Sequence, residues 1–326
     1  MKVNDFMLYL LKELVNKKDV TESTASLYIK NLYTINNKEQ FLNLSFLKNT
    51  DAVDKFLTEY SDNTKKTYLS GITSVLSLYK EKPTYKKIYE HYYNEMMKKA
   101  GEMSNTDKNK MTDNEKTNWM TWDEILEIKK TMKANIDQLK DVQKYITPKQ
   151  YELILNYLIL SLYVDMPPRR NQDYMNMYVV TNIKEQDNTK NYLDWSNKKF
   201  YFNNYKTSKS YGTQIIDLSP ELIEALNLYI SVHPLNPSHK LKFPKNTEFK
   251  FLVYSDGSGF SSVNSITRIL NKIFNGKKIG SSMLRHIYLT TKYNIDAMKD
   301  DAEKMGHSLN EQRQYMKEEN INVIKE

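Results

Sequence analysis

The chain contains no cysteine, which removes disulfides, thiolate metal sites and cysteine nucleophiles. Eight glycines in 326 residues leave little for a phosphate-cradling loop. Neither G-x-G-x-x-G nor a complete P-loop occurs, and "NGKKIGSS" lacks the second half of one. Arginine is scarce as well. Lys and Arg number 48 together, yet the only arginines are Arg169, Arg170, Arg268, Arg285 and Arg313, all in the second half. No apolar run approaches the roughly 18 residues of a membrane span; the longest, around "YLILSLYV", is soon broken. The histidines (His91, His233, His239, His286 and His307) are spread out, with no H-E-x-x-H or His/Asp cluster. Neither a metal nor a nucleotide cofactor is expected, and no membrane partner.

What is present is a soluble globular balance, 40% hydrophobic and 27% charged, with length for two ordinary domains. The net charge of +8 and pI near 9.1 point to an anionic partner, DNA or RNA being the usual one. Abundant Lys, Asn, Tyr and Ile also fit an AT-rich coding sequence. The opening "MKVNDFMLYLLKELVNKKDV" reads as an amphipathic helix with acids inside it, not a signal peptide. An intracellular location follows, with cytoplasm and nucleus both open.

Residues 1–101 show helical spacing throughout. Starts fall at Thr21 or Ser23, at Asp51 and at Asn63; Pro83 closes the fourth segment and Gly101 the fifth. Residues 102–118 are polar and unperiodic and read as a linker. Residues 119–326 form a second domain. It opens with a capping box at Thr121 and Glu124, then a helix apolar nearly all round, "TPKQYELILNYLILSLYVDM". "YVVTNI", "KKFYFNNYK" and "GTQIIDLS" are short, β-branched and aromatic, and predict a small antiparallel sheet. Helical patterns return and run to the end. The expected fold is mainly α with a small antiparallel β-sheet: a helical N-terminal domain and a mixed α+β domain.

The scarce arginines sit in chemically suggestive company. "PPRRNQDY" carries Arg169 and Arg170 with Asp173 following; "SSMLRH" carries Arg285 and His286; "MGHSLNEQRQY" carries His307 and Tyr315. Between them lies the hairpin "FYFNNYKTSKSYGTQIIDL", with Lys206 and Lys209 near its turn. Two arginines, a lysine, a histidine and a late tyrosine form a coherent set for attack on a phosphodiester. The planar guanidinium fork matches two non-bridging oxygens and stays charged. Lysine can give a proton to a leaving oxygen, and a phenol becomes a nucleophile once a base removes its proton.

In this order, "PRRNQDY", "KTSK", "SSMLRH" and "MGHS…QY" resemble the boxes of the tyrosine recombinase (phage integrase) family. The resemblance spans about residues 119–326, and the helical domain before it is similar to that family's core-binding domain. It implies Arg170 as the first arginine, with Asp173 in the acidic position and Arg169 the fallback. It implies Lys206 as the hairpin lysine (Lys209 the alternative), Arg285 as the second arginine, His307 as the later histidine and Tyr315 as the nucleophile. The implied activity is site-specific DNA recombination or integration, through a 3′-phosphotyrosyl intermediate with a free 5′-hydroxyl and without metal or ATP. The implied partners are double-stranded DNA and three further copies, a homo-tetramer on synapsed DNA in which the tail "MKEENINVIKE" docks on a neighbour. A viral or mobile-element origin fits the AT-rich bias.

One position departs from the family. Its H-x-L-R histidine is Ser282 here, in "SMLR", and serine is a poor general base. This departure supports one rival function, a non-catalytic DNA-binding protein of recombinase fold; the other rival, a topoisomerase IB-like relaxing enzyme, keeps the chemistry and changes the task. Tyr293 is the competing phenol, and its helical spacing predicts burial. His286 adjoins Arg285 on a helix and cannot face the same way, so a supporting or structural role is expected. Arg268 and Arg313 read equally as phosphate contacts or solvated charges, and His91 as structural.

Overall fold

Thr21 accepts a hydrogen bond from the Thr24 amide and starts a helix whose apolar residues recur every three or four positions, so that Ala25, Ile29 and Leu32 are fully buried. This pattern repeats through the first of two compact units, residues 1–110. The computed structural model describes residues 2–104, 111–139, 146–183, 187–236, 241–293 and 298. In the first unit these form α1 (Asp5–Lys18), α2 (Glu22–Ile35), a single 3-10 turn, α3 (Thr50–Thr58), α4 (Asp62–Leu76) and α5 (Pro83–Ser104). Gly71 of α4 faces Tyr28 of α2, and a Cβ there would stand 3.3 Å from the Tyr28 ring. Met7, Leu10, Leu14, Ile72 and Val75 complete the core. Tyr92 of α5 is buried within it and donates to the Leu47 carbonyl at 3.0 Å.

Several boundaries differ from expectation by a residue or two. The caps are Asn49 and Ser61 rather than Asp51 and Asn63. Pro83 opens α5 instead of closing the helix before it, because a first-turn position needs no N–H. Gly101 lies inside α5, which runs on to Ser104. Within the stretch expected to be linker, residues 113–118 form α6 (Asp113–Asn118), started by a capping box between Thr112 and Glu115. A polar composition concealed it, since six residues are too few for an apolar stripe.

The second unit spans residues 111–326. After α6 come α7 (Trp122–Asp137), capped by Thr121 and Glu124 as expected, and α8 (Pro148–Val164). Residues 154–163 of α8 are all buried, and the helix packs against α7, α11 (Pro220–Ser231) and α12 (Asn264–Ile273). The sheet has the order β4-β3-β2-β1-β5, with β1 (Met177–Val180), β2 (Asn191–Asp194), β3 (Lys199–Phe202), β4 (Gln214–Asp217) and β5 (Glu248–Lys250). It is mixed rather than antiparallel, because β1 and β2 run parallel from Met177 opposite Asn191 to Val180 opposite Asp194. β2 and β5 were not legible as strands: both are short, and "NYLD" and "EFK" carry polar ends. Three further helices complete the described part: α9 (Asn171–Met175), the single turn α10 (Ser208–Tyr211) between β3 and β4, and α13 (Ser281–Lys292).

The chain is thus mainly helical with one small mixed sheet. Among the described residues no helix is long and apolar enough to cross a membrane.

Candidate functional site: an arginine cleft

Two prolines end the chain leaving α8, and Arg169 and Arg170 follow at the entry to α9. Pro cannot continue a helix and pushes its predecessor toward extended backbone, so the chain turns here. Arg170 becomes the extended N-cap residue of α9, and Asp173 and Tyr174 fall on its buried side. A cleft of about 230 Å³ opens beside this turn. Arg169, Arg170 and Asp173 line it from the turn, Tyr205, Thr207 and Tyr211 from the β3–β4 connection, Gln214 from the start of β4, and Arg285 from α13.

The arginines differ in what they hold. Arg169 is committed: its Nε donates to Asp173 Oδ2 at 2.9 Å, with the two side chains 13% and 3% exposed. Its Nη1 donates to Gln214 Oε1 at 2.7 Å, and the guanidinium lies 3.8 Å over the Phe202 ring and 5.2 Å from that of Tyr205. Asp173 therefore pairs with the residue four positions before it, not with Arg170. Among the described residues the Arg170 guanidinium meets no acceptor, and Arg285 donates only through Nε, to the Ser281 carbonyl at 3.2 Å. Burial, and then the neighbouring Arg170 charge, draw Arg285 below its ordinary range, although a guanidinium stays protonated. Two like charges share a partly dry cleft, with donors left over.

Asp173 feels the opposing influences of its surroundings. Burial pushes its carboxyl up from the ordinary range, and Arg169, then Arg170, draw it part of the way back. Its Oδ1 is buried without a hydrogen-bond partner.

The β3–β4 connection is a closed loop. Tyr205 Oη donates to the Gly212 carbonyl at 2.8 Å, and Thr213 Oγ1 to Asn203 Oδ1 at 3.0 Å. Buried Asn191 joins the loop's base to α9: its Nδ2 donates to the Asp173 and Asn204 carbonyls, and its Oδ1 accepts from the Asn203 and Asn204 amides at 2.8 Å each. The hairpin expected around Lys206 and Lys209 is thus present, with β3 and β4 paired antiparallel and one helical turn at its tip. Lys206 stands between cleft-lining Tyr205 and Thr207, and its own side chain is exposed, as is that of Lys209.

On α13, Arg285 faces the cleft while His286 turns away, its Nδ1 2.7 Å from Glu115 Oε1 on α6. Ser282 lies one turn before Arg285 and is exposed. Tyr293 is not buried as its spacing predicted. It follows the last residue of α13 and is 50% exposed, because the helix ends before its apolar face reaches that position. Arg268 of α12 bonds Ser265 at 3.4 Å, and His91 pairs with Asp54 at 3.0 Å. His307, Arg313 and Tyr315 lie outside the described residues, as do the helices expected after residue 293.

The sequence therefore brought Arg170, Asp173 and Arg285 to one place, with Lys206 between two of the cleft's lining residues. What it did not reveal is the part played by Arg169, Gln214 and Phe202. The four-residue spacing from Arg169 to Asp173 was the one available signal; Gln214 and Phe202 join only through the tertiary fold. Among the described residues no group of three or more His, Asp or Glu side chains is placed to hold a metal ion. No protein-family model matches the chain, and neither a curated protein nor a solved structure is found similar to it.

Proposed function

We propose that this protein is a DNA strand-transfer enzyme of the tyrosine recombinase type, with the arginine cleft receiving the scissile phosphodiester. The observation that carries this reading is the pair Arg170 and Arg285, distant in sequence, lining one cleft with guanidinium donors that no acceptor among the described residues takes up. Such a pair is costly to hold together unless an anion completes it, and a phosphodiester offers two non-bridging oxygens to two planar forks. The order of the sequence boxes and the net charge of +8 support the same substrate class.

In this reaction the Tyr315 phenol gives up its proton, with His307 the nearest candidate in the sequence pattern. Its oxygen forms a new bond to phosphorus as the bond to the 5′-oxygen breaks. Arg170 and Arg285 neutralise the charge gathering on the non-bridging oxygens. The Lys206 ammonium supplies the proton that the departing 5′-oxygen needs. The product is a 3′-phosphotyrosyl link and a free 5′-hydroxyl, which keeps the energy of the broken ester and allows rejoining to another strand. Double-stranded DNA is the partner, and the exchanging assembly is a homo-tetramer; recovery of monomers alone on a synapsed two-site substrate counts against that assembly.

A covalent trapping assay tests the reading. Wild-type protein on nicked duplexes gives a slowly migrating adduct on a denaturing gel, and Tyr315→Phe gives none. An adduct in both moves the nucleophile, first to exposed Tyr293. Relaxation of supercoils by a monomer without site preference indicates a topoisomerase-like task instead.

Exposed Ser282, in place of the family histidine one turn before Arg285, favours a second reading: a DNA-binding protein that no longer cuts. Tight duplex binding with no adduct identifies it.

A further inference from the structure

Arg169 takes no part in the proposed strand-transfer step, and yet it is the most fully engaged arginine in the cleft. Its guanidinium meets three parts of the molecule at once: Asp173 on α9, Gln214 at the start of β4, and the faces of Phe202 and Tyr205 at the end of β3 and just beyond. Phe202, Tyr205 and Gln214 flank Lys206 on both sides in the chain. The loop between them is closed on itself by Tyr205 to Gly212 and Thr213 to Asn203, so it moves as a body. Asn191 holds the base of that body against α9. Arg169 holds the side that borders the cleft.

We infer that Arg169 is a positioning residue, which holds the Lys206 loop against the cleft and occupies Asp173, leaving the Arg170 and Arg285 guanidiniums for the substrate. The inference rests on the phosphodiester reading of the cleft. A lysine at position 169 would not do the same work. An ammonium lacks the planar fork that donates to Asp173 and Gln214 in different directions while stacking on Phe202. This is why a chain that otherwise prefers lysine places two arginines side by side, one to bind and one to brace.

The chemistry supplies a readout that a merely structural role would not move. If Arg169 acts through Lys206, its loss impairs protonation of the departing 5′-oxygen. A sulfur in that bridging position leaves as a thiolate and needs no proton, since thiols ionise near pH 8.5. The experiment uses the full chain and duplexes with randomised flanks around one linkage, either an ordinary phosphodiester or a 5′-bridging phosphorothiolate. Arg169→Lys and Gln214→Ala are compared with wild type, with adduct formation and duplex binding measured separately. Gln214→Ala removes the hydrogen bond from Arg169 to the hairpin and leaves the Arg169–Asp173 pair whole, which guards against a variant that fails to fold.

Both variants are expected to bind duplex normally and to form adduct about a hundredfold more slowly on the oxygen linkage, the scale of a misplaced catalytic group. On the sulfur linkage both return to within a few-fold of wild type. Equal loss on the two linkages overturns the inference and leaves Arg169 a stabilising residue alone. Unchanged rates on the oxygen linkage overturn it too, since the loop then holds its place unaided. Absence of adduct from wild type on both linkages overturns the strand-transfer reading and this inference with it, and that failure shows before any variant is made.

Discussion

His286 Nδ1 and Glu115 Oε1 lie 2.7 Å apart, so the residue next to Arg285 ties α13 to α6 while Arg285 faces the cleft. Neighbours on a helix point about 100° apart, and here the two directions carry different tasks. Hydrogen bonds from Thr112, and then His286, hold the Glu115 carboxyl below its ordinary range. The pair is largely open to solvent on the histidine side, 54% exposed, where such contacts contribute under about 1 kcal/mol. His286→Ala is expected to lower the urea midpoint only slightly and to change adduct formation by no more than a few-fold.

Arg285→Ala should behave in the opposite manner. Removing one preorganised donor from a developing charge costs roughly 10²–10³ in rate. Adduct formation in single turnover is expected to fall by that factor while the thermal midpoint holds or rises, because a like charge beside Arg170 has gone. Arg170→Ala is expected to do the same.

Asp173 should be a stability residue. Its side chain and that of Arg169 are 3% and 13% exposed, and taking one partner from a buried pair leaves the other charge stranded. Asp173→Ala is expected to destabilise the protein by about 3–5 kcal/mol, read from urea unfolding. Asp173→Asn retains an acceptor for Arg169 and is expected to cost less.

His233 makes the protein acid-sensitive. The ring is fully buried, with Nδ1 accepting from the Leu235 amide at 3.1 Å and Nε2 3.1 Å from the Phe251 carbonyl, an arrangement that suits the neutral ring. Burial lowers its pKa from the ordinary 6.5 to about 4. The unfolded chain therefore binds the proton more readily than the folded one. This stabilisation is complete above about pH 6.5 and is lost as pH falls toward 4, amounting to ~3 kcal/mol at about 1.4 kcal/mol per unit. Urea midpoints between pH 4 and 7 are expected to climb with pH, and His233→Gln to flatten that slope.

The two units should fold separately. Each closes its own apolar core, one around Leu10, Ile29 and Ile72 and the other around α8. Residues 1–110 and 111–326, expressed apart, are each expected to melt cooperatively in calorimetry.

The sequence by itself determined what depends on residues within one or two helical turns. Thr121 with Glu124 starts α7 because a capping box closes over three residues. α8 lies at the centre because apolar side chains on every face leave no side for water. Tertiary structure decided what depends on partners from elsewhere in the chain. β1 and β2 run parallel although alternation along a strand is the same for either direction. Asp173 chose Arg169 over Arg170, and that choice was settled by Phe202 and Gln214, which arrive from the sheet to stack on and bind one guanidinium. Local hydrogen bonds are written along the chain, whereas the competition of two adjacent arginines for one carboxylate is resolved only by what packs around them.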